Sequence, residues 1–359
     1  MNQLAKERIP IVFLAILALI AAVLAGLARL GIEVPTLFLN VTASHSVLMI
    51  YGFFGTVIGL ERAIASRRLW SFFAPVVCGI SSLFILTGDQ MLFAFIGFAL
   101  AGICFATTTF LIFIQQPAAY TFTLLAGAAL WPIGFLVMTM TQNQDAIVVC
   151  GITFLVLTIA GERLELTRFL PPNKYGKYTF LALCLSIILT TLLTSFDRYR
   201  YEAYLGLNYC GLAVWMFVFD IARKTIKKTG ITRFVAVCLL CGYAWLLVGG
   251  TLWLLPLSDS PYQRDAAIHA ITLGFIFSMV IGHAPIIFPA VMRVHIPYSW
   301  LFYLPLIILN LGLFARVIGD LNNQLSLLTT GALINSIAIA IFLAVLVTQV
   351  LRNNLLKPR

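Results

Sequence analysis

Charge is what this sequence has least of. Lys, Arg, Asp and Glu make up 10% of its 359 residues, against about 25% in an ordinary soluble domain, and this excludes a globule with a solvated, charged surface. Acidic residues number only 13 and histidines four, so a carboxylate or imidazole inside an apolar stretch is a scarce group in a costly place. The sequence also lacks a Gly-rich phosphate loop, a Ser-His-Asp arrangement and a zinc-protease motif, which removes the usual signatures of nucleotide, acyl-transfer and metalloprotease chemistry. Its polar connections are too short to hold a second, water-soluble domain.

In place of charge stand long apolar runs. Hydrophobic residues make up 61% of the chain, and the mean hydropathy is +1.02. A helix of about 20 apolar residues crosses the roughly 30 Å hydrocarbon layer. Twelve such runs lie near 10–31, 43–65, 69–88, 91–114, 119–141, 145–169, 178–196, 203–224, 232–255, 265–292, 298–319 and 325–351. The expectation is an all-α polytopic membrane protein of about twelve transmembrane helices, with residues 1–359 forming a single transmembrane domain. The first run has no clear small-residue cleavage site and reads as a retained helix.

Basic residues orient the helices. With a cytoplasmic N-terminus, the inner segments collect 18 of the 23 Lys and Arg, and the outer side holds Arg29, Arg198, Arg200, Arg264 and Arg316. That asymmetry follows the positive-inside rule and places both termini in the cytoplasm of a bacterial inner membrane. It also accounts for the net charge of +10, so no nucleic-acid partner is implied and the lipid bilayer is the expected surroundings. The seven cysteines are scattered through the runs. Cys238 and Cys241 in "CLLC" share a face and could hold Cu(I), although membrane helices also use Cys as a small packing residue.

A local pattern recurs. "VIGLERAIASRR" ends helix two and "TIAGERLELTRF" ends helix six, so Glu61-Arg62 and Glu162-Arg163 return about a hundred residues apart. "MVIGHAP" in helix ten places His283 where the other two have glutamate. The spacing suggests three four-helix repeats, 1–114, 115–228 and 229–359. Glu61, Glu162 and His283 would then reach similar depth near the inner side, where they could hold iron, manganese, zinc or copper. Pro285 and Pro289 would open the helix there. The competing reading pairs Glu61 with Arg163 and Glu162 with Arg62. Asp220, ahead of Arg223 and Lys224, reads as an ordinary helix-end pair.

"IHAITLGFIFSMVIGHAP", residues 268–285, carries two imidazoles, His269 and His283. Fourteen residues at 100° each place them within about 40° in azimuth and about 21 Å apart along the axis. His45 lies in the first turns of helix two, as His269 does in helix ten, and the two helices run in the same direction. Both imidazoles are therefore positioned to ligate one haem iron from two helices. Gly52, Gly55 and Gly59 follow His45 on a strip that admits either a flat macrocycle or another helix. Arg316 near the outer end of helix eleven could serve a haem propionate, or pair locally with Asp320. The bland alternative for the histidines is interfacial hydrogen bonding.

Twelve helices with marked positions on two, six and ten resemble the plan of the haem-copper oxidase catalytic subunit, and "SHSVLMIYGFFG" is similar to that family's helix-two segment. The resemblance implies haem b with His45 and His269 as axial ligands. Helix six has no copper-binding histidine and helix ten no closely spaced second one, so oxygen reduction is not implied. "HAITLGFIFSMVIGH" resembles helix ten of the NnrS family of membrane haem proteins. That likeness implies redox or nitric oxide handling, with a small gas ligand and an electron donor as partners, and an oxidoreductase if the protein is an enzyme. This sequence departs from that family after Gly-His, with "APIIFPAVMR". The alternative function is a proton- or metal-coupled secondary transporter without haem, since twelve helices with membrane-embedded Glu and Arg also suit a carrier.

Overall fold

The computed structural model describes residues 7–88, 90–171, 173–255 and 261–354. Among the described residues it is helical throughout, with no strand. Twelve helical spans are long and apolar enough to cross a membrane. They are α1 Ile9–Arg29, α2 Thr36–Ser66, α3 Leu69–Thr87, α4 Met91–Gln115, α5 Ala119–Thr141, α6 Asp145–Phe169, α7 Lys174–Phe196, α8 Arg198–Phe219, α9 Gly230–Leu254, α10 Tyr262–Met292, α11 Trp300–Leu321 and α12 Leu325–Arg352. The protein is therefore a multi-pass membrane protein, and the bilayer is its surroundings. The apolar runs become helices because a helix satisfies its own backbone where no water can do so.

Two spans are not uniform α-helix. In α2, a 3₁₀ segment Thr36–Ser44 leads into a single α-turn at His45–Val47. A π-helical stretch, Leu48–Phe54, follows before the α form resumes at Gly55. In α10, the α-turns Pro261–His269 give way to a π-helical stretch, Ala270–Phe277, directly after the histidine. An i→i+5 ladder turns less per residue than an α-helix, so the uniform 100° step across 269–283 does not hold here. The start of α2 is also earlier than the hydropathy suggests. Pro35 sets up a 3₁₀ run through polar residues Asn40, Thr42 and Ser44.

Contacts divide the chain into two compact units, one formed by residues 2–162 and 191–198, the other by 163–190 and 199–359. This division does not follow the expected boundaries near 114 and 228. The first unit is built around Trp131, which is fully buried and donates its indole N–H to the Phe98 carbonyl at 3.0 Å. Tyr51, Phe105 and Phe154 lie around it with ring centroids 5.3–5.5 Å away. Glycine makes the space: a Cβ on Gly102 would fall 2.6 Å from Trp131 Cδ1, and one on Gly55 2.7 Å from Cη2. Tyr51, inside the π stretch of α2, donates its hydroxyl to the Ile147 carbonyl at 2.6 Å.

The second unit relies on backbone-to-backbone approach. A Cβ on Gly206 would lie 2.6 Å from the Gly250 carbonyl oxygen, so α8 and α9 cross at glycine on both sides. On α12, a Cβ at Gly331 would meet the Arg316 nitrogen at 2.5 Å and the Gly312 oxygen at 2.6 Å. Small residues of this kind draw helices together where lipid removes the hydrophobic drive.

Gly102→Leu forces Trp131 out of its slot and is expected to cost about 1–3 kcal/mol, the usual penalty of overpacking. Ile103→Leu, at a position 54% exposed, is expected to leave the thermal midpoint of the detergent-solubilised protein unchanged. Equal midpoints for the two variants would show that the Trp131 slot is not tightly packed.

Candidate functional site

In the first unit, His45 opens the α-turn of α2, and its Nδ1 lies 2.6 Å from the Ala22 carbonyl oxygen on α1. A carbonyl can only accept, so Nδ1 carries a proton. The ring packs over Gly26, where a Cβ would come within 2.8 Å of it. The glycine strip that follows is closed by protein. A Cβ on Gly52 would meet Ser82 Oγ at 2.7 Å, one on Gly55 the Trp131 ring, and one on Gly59 the Pro75 ring at 3.3 Å. Of the two readings of that strip, helix packing is the one the structure realises. Glu162 pairs with Arg62 at 3.0 Å, as the ion-pair reading has it.

In the second unit, His269 ends the first α-helical turns of α10. Its Nδ1 is 2.9 Å from the Asp265 carbonyl oxygen and 3.2 Å from the Asp265 carboxylate. The same carboxylate accepts from Arg316 Nη2 at 2.8 Å. Arg316 therefore reaches across to α10 and does not close a local pair with Asp320. A third carboxylate–guanidinium contact, Glu202 with Arg264 at 3.0 Å, ties α8 to α10. Asp265 is the residue that sequence reading passed over here. The signal was present in "DAAIH", where Asp and His stand four apart on a helix and so meet on one face.

His283 sits on the same span in different company. Its Nδ1 is 2.8 Å from the Met279 carbonyl oxygen, and its Nε2 accepts from Arg163 at 3.0 Å. Both ring nitrogens are in use, and a cation faces the only lone pair, so this imidazole is not arranged to take a metal. Among the described residues, no three His, Cys, Asp or Glu side chains gather as a metal-holding group. Arg163 also acts on Asp220, which is 1% exposed and accepts from the Ala222 N–H at 2.6 Å. The fully buried Tyr243 faces the same carboxylate. Asp220 is thus a buried carboxylate within the field of Arg163, not a surface helix-end pair. Burial raises its pKa, while Arg163 and the Ala222 N–H pull it back. Arg163 Nε is buried with no hydrogen-bond partner among the described residues, and the Tyr243 hydroxyl is close enough to Asp220 to steady its charged form. Cys238 of "CLLC" packs against the backbone at Gly282, where a Cβ would lie 2.8 Å from its own.

Arg163→Leu removes the cation nearest the buried Asp220, and leaving a buried carboxylate without that field costs on the order of 1–3 kcal/mol. The sign of the pH effect follows from the raised pKa. The folded variant binds the Asp220 proton more tightly than the unfolded chain, so stability rises as pH falls from neutral into the mildly acidic range. Melting curves are expected to show that recovery in Arg163→Leu and its absence in Arg163→Leu/Asp220→Asn. A pH-independent loss in the single variant would sever Arg163 from Asp220.

Residues 8–351 match the family described as Domain of unknown function (DUF8744), and the chain belongs to it. No curated protein and no solved structure matches the chain.

Proposed function

We propose that this chain is an integral membrane haem b protein, with His45 and His269 as the imidazoles that ligate the iron, acting in redox or nitric oxide handling. One observation carries the reading: both histidines commit Nδ1 to an oxygen acceptor next to a π-helical stretch. An imidazole that donates through Nδ1 presents Nε2 as a metal ligand, and the acceptor fixes its ring orientation and raises its basicity. π-Helical turns are rare and concentrate at functional sites.

The chain's own residues divide the work as follows. Ala22 and Gly26 hold the His45 ring, and Asp265 holds that of His269. Arg316 acts through Asp265, anchoring the carboxylate that faces His269, and its contribution to a propionate is secondary to that bond. Haem, when bound, supplies one-electron chemistry or an iron site for a small gas ligand. A second metal at His283, Glu61 and Glu162 does not belong to this proposal, because Arg163 and Arg62 already engage two of the three. The likeness of helix two to haem-copper oxidases and of helix ten to NnrS agrees with the reading, as does a bacterial inner membrane with both termini cytoplasmic, the orientation that the basic residues favour.

A second reading, a proton- or metal-coupled carrier, draws on the buried cluster of Arg163, Asp220 and Tyr243, since ionisable groups inside a membrane mark transport paths.

A reduced-minus-oxidised spectrum with a pyridine haemochrome assay separates the two. The purified protein is expected to show a low-spin b-type signal that His45→Ala and His269→Ala abolish and His283→Ala retains. A colourless wild type, expressed with ample haem, would leave the carrier reading in its place.

A further inference from the structure

Asp320 stands in the last turn of α11, 2% exposed, and neither of its carboxylate oxygens has a hydrogen-bond partner among the described residues. The turn into α12 closes over it. Gln324 donates its N–H to the Gly319 carbonyl at 2.8 Å, and a Cβ on Gly319 would lie 2.5 Å from the Leu328 nitrogen. No donor of that turn reaches the carboxylate.

An anion is badly placed here on three counts. It would be desolvated without a hydrogen bond. It would sit at the negative end of the α11 dipole. It would also face the Asp265 carboxylate of α10. Arg316, one turn earlier on α11 and 9% exposed, is the one favourable charge nearby, and its Nη2 bond is spent on Asp265 at 2.8 Å. Beyond Asp265, α10 adds His269 and Arg264, the latter paired with Glu202 of α8. The only charged residue of α12 is Arg352, at its far end. Two carboxylates therefore share one free guanidinium, and only one of them has hold of it.

We infer that Asp320 carries a proton in the folded protein and that Asp320, Arg316 and Asp265 together form a proton-binding site. The bound proton forms the O–H of a neutral acid on one Asp320 oxygen and leaves Asp265 as the single anion between Arg316 and His269. A metal cation is the poorer occupant, because the Arg316 guanidinium already acts on the Asp320 carboxyl and repels it. When the proton leaves, Asp320 competes for Arg316, and the grip of Asp265 on His269 Nδ1 changes with it. The site thus links a proton to an imidazole through one shared carboxylate, whether or not that imidazole binds haem.

Infrared spectroscopy of the lipid-reconstituted protein in light and heavy water tests this. The wild type at neutral pH is expected to show a carboxylic-acid C=O stretch that shifts on deuteration and is missing in Asp320→Asn. The asparagine matches the neutral acid in shape and charge, so the variant is expected to melt at or above the wild-type midpoint. Absence of the band in the wild type, or its survival in Asp320→Asn, overturns the inference. So does a lower melting midpoint for the variant, which would mean that the fold uses the carboxylate. A thermal shift in sodium relative to choline that Asp320→Asn removes would replace the proton with a bound cation.

Discussion

Every polar group in this chain answers to one constraint: the hydrocarbon layer offers no water, so each donor and acceptor must be matched within the protein. The hydroxyls meet it locally. Thr56, Thr109, Thr158 and Thr272 each donate to the carbonyl four residues earlier, a bond their own helix supplies. Charged side chains cannot be satisfied that way and must reach another helix. Arg62 finds Glu162, Arg264 finds Glu202, and Arg316 finds Asp265. The ion pairs thus act as cross-links between spans, and their register is fixed more tightly than apolar packing alone would fix it. Their net stabilisation is small because desolvation offsets the attraction, while loss of one partner is expensive.

From the same constraint follows the value of the groups that remain unmatched. An orphaned hydroxyl or carboxylate in a soluble protein costs about 1–3 kcal/mol, and in lipid no solvent can step in. Among the described residues, Asp320 and Arg163 Nε stand in this position, close to residues whose partners are well made. Asp265 and His283 are fully engaged beside them. A fold that leaves such a group open retains it at a cost, as sites that exchange a proton or a ligand do.

The twelve spans were legible from hydropathy because a bilayer of fixed thickness selects helices of fixed length, and most boundaries agree to within a few residues. The scarce histidines and the Glu162–Arg62 pair were legible for the same reason, since ionisable groups in apolar runs must have a partner or a purpose. The rest was hidden by two kinds of physics. Face arithmetic assumes a constant 100° per residue, and the π stretches at Leu48–Phe54 and Ala270–Phe277 break that assumption. Partner choice among several buried charges depends on three-dimensional reach, so sequence could offer Asp320 for Arg316 and Glu61 for Arg163 but not weigh them against Asp265 and His283. Asp220 was missed because its neighbours Arg223 and Lys224 look sufficient, although its carboxylate turns inward to Arg163.

The position of the π stretches bears on how the histidines work. In α2 and α10 alike, the imidazole precedes the widened turns, so its own backbone is anchored on one side by regular or 3₁₀ helix and on the other by a segment with a different hydrogen-bond ladder. A widened segment can move one residue's worth of register without unfolding, since each carbonyl has both an i+4 and an i+5 donor within reach. The Nδ1 acceptors both belong to regular α-helix, Ala22 on the neighbouring α1 and Asp265 one turn before His269. The rings are therefore fixed by rigid helix while the chain beyond them can adjust. An imidazole held in this way keeps a constant orientation while the backbone beyond it can take up strain.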